Sequence, residues 1–155
     1  MIKFIMAFLV VLFSGFLLFP SNDIVELRYP SYYDIPSITG INTWLPVFFP
    51  KESINIEFYS NLNINYFYVK FSLNPGYSDY FENQLAVKAS SKGIEYLNKI
   101  INVDNSWCKV DSAKMNEEVD NLYLIGKSGD DKYIITGAFS INGRNDSRYR
   151  TYCIF

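Results

Sequence analysis

The stretch DYFENQLAVKASSKGIEYLNKI, residues 79–100, is where the fold is decided. Asp79 and Glu82 have the spacing of a capping box, and Phe81, Leu85 and Ala89 recur at four-residue intervals. SSKG at 90–93 loosens the pattern, and Ile94, Leu97 and Ile101 resume it. The spacing predicts one helix over 80–101, weakest at Gly93, with its apolar side laid on a sheet.

Strands are expected on both sides of it. Upstream, Ile54, Ile56 and Phe58 alternate with Asn55 and Glu57, and INYFYVKFSL at 64–73 is rich in aromatic and β-branched residues. These predict antiparallel strands over 53–59 and 64–73, the second stopped by Asn74-Pro75-Gly76. Downstream, NLYLI at 121–125 and KYIITGAF at 132–139 flank a turn-rich GKSGDD connection. In the last segment, SRYRTYCIF at 147–155, Tyr149, Thr151, Cys153 and Phe155 share one face of a predicted strand; Arg148, Arg150, Tyr152 and Ile154 share the other. The fold class expected is α+β: an antiparallel sheet of about five strands packed against one long helix.

The segment 21–50 carries four prolines, Pro30, Pro36, Pro46 and Pro50, and reads as irregular. It also holds Tyr29, Tyr32, Tyr33, Trp44, Phe48 and Phe49, too apolar a set for a disordered tether. It is expected to wrap the domain, covering a sheet edge or face.

At the N-terminus, FIMAFLVVLFSGFLLFP (residues 4–20) has no charge and no polar side chain except Ser14. Residues 1–20 are expected to form a signal anchor or transmembrane helix, since no pair of small residues makes a good leader cut, with a cleaved leader as the alternative. Lys3 before it and Asp23 and Glu26 after it would keep the N-terminus cytoplasmic. The expectation is a single-pass protein of the inner membrane, contacting the bilayer through residues 2–19, with residues 21–155 as one periplasmic domain.

Cys108 and Cys153 would then sit in an oxidising compartment and form one disulfide. The chain has no histidine, which removes the usual general base and the common metal-ligand clusters. No phosphate-cradling glycine loop, dinucleotide fingerprint or CxxC occurs. The carboxylates Glu57, Asp104, Asp111, Glu117, Glu118, Asp120, Asp130 and Asp131 lie in turns, connections or polar strand faces. No enzyme, metal site or cofactor is expected. With 14 basic against 16 acidic side chains, formal charge -2, nucleic acid is not an expected partner. Asn145-Asp146-Ser147 matches a glycosylation sequon and equally suits a turn.

The compositional excess is aromatic, 13 tyrosines and 13 phenylalanines in 155 residues, and tyrosine combines rigid contact area with a polar handle. The function expected is protein binding in the cell envelope, in its most concrete form an immunity or exclusion factor that blocks an incoming toxin or transfer protein. A structural or accessory subunit of an envelope complex is the alternative, followed by a small-ligand or lipid-binding domain. The expected partner-binding residues are Tyr32, Tyr33 and Trp44 in the proline-broken segment, with Arg148, Arg150 and Tyr152 at the chain end.

Overall fold

A computed structural model describes residues 23–111 and 120–154. Strands β1 (Ile24–Ser31), β2 (Ile54–Asn61), β3 (Tyr66–Ser72), β4 (Val87–Lys88), β5 (Asn105–Asp111), β6 (Asp120–Ser128) and β7 (Lys132–Ile141) form one seven-stranded sheet in the order β1-β2-β3-β7-β6-β5-β4. Every pairing is antiparallel. The helices are short: α1 (Ile41–Trp44), α2 (Pro75–Asn83), α3 (Ser91–Asn98) and α4 (Ser147–Tyr152).

This corrects the expected α+β class. Among the described residues there is no long helix, and the predicted 80–101 helix is two helices separated by a strand. Val87 and Lys88 pair with Cys108 and Trp107, and Ala89 bridges Cys153. The first helix begins at Pro75, so Asp79 and Glu82 are interior residues and make no capping box. Ser90 is the true cap: its Oγ accepts from the Gly93 N–H at 3.3 Å and donates to the Thr151 carbonyl at 2.6 Å. The weak point expected inside one helix is the start of another.

The last segment is also corrected. Residues 147–152 form a helix, capped by Asp146, whose carboxylate accepts from the Arg148 N–H at 2.8 Å. The buried residues Tyr149 and Cys153 are four apart, a helical spacing that the alternation also contains. Phe155 lies outside the described residues.

The other predicted strands appear, β2, β6 and β7 lengthened by one to four residues and β3 shortened to Tyr66–Ser72. Sequence reading missed β1, β4 and β5. In β1, Pro30 masks a sound alternation, with Ile24, Glu26 and Arg28 exposed and Val25, Leu27 and Tyr29 half-buried. In β5, Ser106, Trp107 and Cys108 are buried consecutively because the sheet is covered on both faces there, which erases the period of two.

The sheet separates two hydrophobic clusters. On one face Phe58, Phe67, Val69, Phe71, Tyr133 and Ile135 are closed over by α2 and by the 32–50 segment, through Ile35, Ile41 and Phe49. The segment thus covers a sheet face, as its apolar content requires. On the other face Leu122, Leu124 and Ile134 meet Leu97 of α3 and Tyr149 of α4. Gly137, at φ +46°, sits in a register shift of β7 opposite the Leu122–Leu124 stretch.

The Cys108–Cys153 disulfide is present, with Cα atoms 5.8 Å apart, and ties β5 to the chain end. Its 45-residue separation corresponds to about 4 kcal/mol of unfolded-state entropy.

The expected single-pass placement in the inner membrane is set aside. Among the described residues no helix is long and apolar enough to cross a membrane. Residues 1–20, on which the expectation rested, lie outside them, as do Glu117 and Glu118.

The packing can be tested at the disulfide and at Gly93. Thiol labelling of the denatured, unreduced protein should modify neither cysteine, and reduction should lower the melting temperature; full labelling of both would refute the bond. A Cβ at Gly93 would lie 2.7 Å from the Tyr152 carbonyl oxygen and 3.0 Å from the Ala89 Cβ. Gly93→Ala should therefore destabilise by about 1–2 kcal/mol despite the better helix propensity of alanine, read by chemical denaturation. An unchanged or raised stability would show that α3 and α4 are not so tightly apposed.

Candidate functional site

The helices α3 and α4 cover their face of the sheet only over the β5–β7 half. Over β1–β3 the same face is open, and period-two geometry gathers on it Glu26 and Arg28 of β1, Glu57 and Tyr59 of β2, and Tyr66, Tyr68 and Lys70 of β3. Cross-strand register puts Tyr59 opposite Tyr68, and their rings stack at 4.9 Å and 8°. Tyr66 meets both edge-on at 6.2 Å, and the Lys70 ammonium lies 5.2 Å from the Tyr68 ring centroid. Arg28 and Glu57 pair at 3.5 Å at the rim.

Two phenols of this face, Tyr66 and Tyr68, are shifted towards their neutral form. Burial, then the neighbouring Tyr66, Glu26, Tyr59 and Glu57 charges, push the Tyr68 hydroxyl above its ordinary value. Burial does the same to Tyr66, with Tyr59 adding to it against a lowering hydrogen bond from Thr136. At the border with α3, burial and the Tyr66 charge take Tyr96 up to about 12. Such groups offer contact area and hydrogen bonds; a phenolate nucleophile is disfavoured.

The six residues expected at a partner surface fall on opposite faces. Tyr32 stacks on Phe49 at 6.1 Å and Trp44 meets Phe67 edge-on at 5.7 Å, so both help seal the first cluster. Tyr33, 79 % exposed, projects from Tyr32 with little else around it. Tyr152 belongs to the other face, stacked on Phe139 at 5.0 Å and edge-on to Tyr96 at 5.9 Å. Arg148 and Arg150 are exposed on α4, on the side of the open tyrosines. They do not stand on the outer face of a strand. Arg148 chelates Asp146 through Nε and Nη2 at 3.1 and 3.0 Å, and Arg150 donates to Asn145 at 3.2 Å. That Arg148 pairing, with backbone N–H donors, holds the Asp146 carboxyl far below its usual range.

Two of the carboxylates singled out in the sequence hold loops in place. Asp104 accepts from the Gly129 N–H at 2.7 Å and Asp111 from the Val47 N–H at 2.9 Å. Asp130 and Asp131 are exposed in the β6–β7 turn. Among the described residues no group of three or more acidic or cysteine side chains is arranged to hold a metal ion.

Sequence reasoning missed one half-buried polar cluster. Glu82 Oε1 accepts from Lys127 Nζ at 2.6 Å and from the Tyr133 hydroxyl at 2.6 Å, fastening α2 to β6 and β7. Burial opposes the charge on Glu82, but these hydrogen bonds and the Lys127 and Lys88 charges outweigh it and lower its pKa. The hydrogen bond that Lys127 donates to Glu82 raises the Lys127 pKa in turn. All three groups satisfy one another, so the cluster reads as a fastening. The only local signal is the spacing of Glu82 from Asp79, and that suggests a cap.

One family model, described as the YbbD head domain, matches residues 23–72. That is about a third of the chain and corresponds to β1, β2, β3 and the loop that covers them. The resemblance suggests an extracytoplasmic domain. No solved structure matches the chain. The matched stretch supplies all three strands of the open tyrosine face.

The Glu82 cluster generates a pH prediction. A carboxylate with a lowered folded-state pKa contributes stability above its unfolded value, near 4.5, and loses it as pH falls through the folded value. Glu82→Gln should therefore flatten the acid side of the stability profile while lowering stability at neutral pH by about 1–3 kcal/mol. Melting curves from neutral pH down to strongly acidic pH test this; a variant with the wild-type slope below pH 4.5 would remove Glu82 from that role.

Proposed function

We propose that this is an extracytoplasmic protein-binding domain without catalytic activity, and that its contact surface is the open face of β1–β3. The observation that carries the reading is the stacked Tyr59–Tyr68 pair with Tyr66, left uncovered on a rigid sheet and bordered by Arg28, Glu57 and Lys70. Stacked tyrosines on a strand face lose little conformational freedom on binding, and mixed charges at their border give orientation. Arg148, Arg150 and Tyr152 lie on the same side of the sheet and extend this surface. Tyr33 belongs to the opposite side; Tyr32 and Trp44 serve packing.

The partner envisaged is a protein of the cell envelope. An envelope immunity or exclusion factor, which would occupy an incoming toxin or transfer protein by steric blockade, is the concrete form of this reading. Architecture and composition are its support: a small disulfide-tied domain, histidine-free, rich in tyrosine and slightly acidic.

The test compares wild-type protein with Tyr59→Ala, Tyr68→Ala and Arg150→Ala as bait in an envelope extract of the native cell. Tyr33→Ala is the control for the far face. A specific partner should be retained by wild type and by the control, and lost with either sheet tyrosine. Affinity for the identified partner should fall by about 2 kcal/mol per sheet tyrosine, with melting temperatures near wild type. If folded sheet-tyrosine variants retain every partner at wild-type affinity, the surface has been wrongly chosen.

A further inference from the structure

Strand β1 is a free edge of the sheet among the described residues. The Asp23 carbonyl accepts from the Leu62 N–H at 2.8 Å, so it points towards β2. Alternation along the strand then turns the backbone groups of Val25, Leu27 and Tyr29 inward and those of Ile24, Glu26 and Arg28 outward. The alternation ends at Pro30, which has no partner on β2, and beyond it the Tyr32 N–H donates to the Ser53 carbonyl at 3.0 Å, so the regular outward row is Ile24, Glu26 and Arg28. Beside this row, Val25, Leu27 and Tyr29 remain half-exposed on one face, and Glu26 and Arg28 stand exposed on the other.

We propose that β1 pairs with β1 of a second copy of this chain, antiparallel, about a two-fold axis at Leu27. In that register Glu26 lies opposite the partner's Arg28, Val25 opposite the partner's Tyr29, and Leu27 opposite the partner's Leu27. Glu26 and Arg28 are both outward residues, so each such pair exchanges both of its backbone hydrogen bonds.

Charge selects this register. Sliding by one residue on each strand in either direction puts Glu26 against the partner's Glu26, or Arg28 against the partner's Arg28, and like charges directly opposite destabilise an antiparallel pair. A slip that changes the alternation carries the apolar row to the wrong face. Charge and proline usually guard an edge against unrelated strands. Here the two charges have opposite sign and are two residues apart, so they repel many strands and fit their own copy. The in-chain Arg28–Glu57 pair, with side chains 82 % and 48 % exposed, is loose enough to be shared. This pairing uses Glu26 and Arg28 at the rim of the tyrosine surface but none of its rings, and it does not depend on that surface binding a partner.

Sedimentation velocity of the full chain over a concentration series tests the idea. Wild type should shift from monomer to dimer, at high concentration because an edge pairing is a small interface. Glu26→Arg and Arg28→Glu should each weaken self-association by about tenfold or more. Mixed in equal amounts, the two variants should recover a dimer, since the first carries arginine at both charged positions of β1 and the second carries glutamate at both. Leu27→Cys should form an intermolecular disulfide, because residues facing each other in a non-hydrogen-bonded pair lie about 4.5 Å apart at Cα. Val25→Cys alone should not. A wild-type chain that stays monomeric, single-charge variants that dimerise like wild type, a mixture that does not recover, or failure of Leu27→Cys to cross-link would each overturn the proposal.

Discussion

The pairing of β3 with β7 is the constraint on which the other elements depend. The chain makes two local meanders, β1–β2–β3 and β4–β5–β6–β7, and only this ladder joins them into one sheet. Its residues are far apart in sequence, Val69 opposite Ile135 and Phe71 opposite Tyr133, so closing it costs loop entropy that local pairings do not. The return is complete burial: Val69 and Ile135 are both 0 % exposed. Thr136, also fully buried, donates to the Phe67 carbonyl at 3.1 Å across the same seam.

Once the two meanders are joined, each face must be covered or left open. The proline-rich segment and α2 close one face, with Phe49, Phe81 and Tyr133 all in ring contact with Phe71. The Glu82–Lys127–Tyr133 cluster locks that cover laterally. On the other face α3 and α4 are too short to reach beyond the C-terminal meander, and the disulfide holds the chain end over β5. The half-buried tyrosines of β2 and β3 therefore follow from cover running out among the described residues. They stack on one another because no helix is there to take their rings.

This arrangement gives the domain a division of labour. The C-terminal meander carries the disulfide and both helices of its face, and it acts as the stabilising half. The N-terminal meander, coincident with the stretch that resembles the YbbD head domain, carries what is, among the described residues, the open face and the free β1 edge. On that face burial raises the Tyr66 and Tyr68 phenols above their ordinary pKa, and Glu57 pairs with Arg28 at the rim.

Local sequence was sufficient for the strands β2, β3, β6 and β7, where alternation and β-branched runs agree with the final pairing, and for the cysteine pair. It was sufficient, too, for the covering role of the proline-rich segment, because that many aromatic residues must be buried somewhere. It was not sufficient for residues 80–101 or 147–155. Phe81, Leu85 and Ala89 satisfy a helical period, yet Val87 and Lys88 gain backbone partners on β5, and Ala89 gains one at Cys153, that no local pattern announces. Tyr149 and Cys153 fit both a period of two and a spacing of four. The Asp146 cap and the tether to Cys108 decide between them. The open tyrosine face was equally hidden, since which side of a strand meets water depends on how far the distant helices α3 and α4 extend. A short amphipathic pattern is degenerate; only long-range pairing supplies the free energy that selects one of its readings.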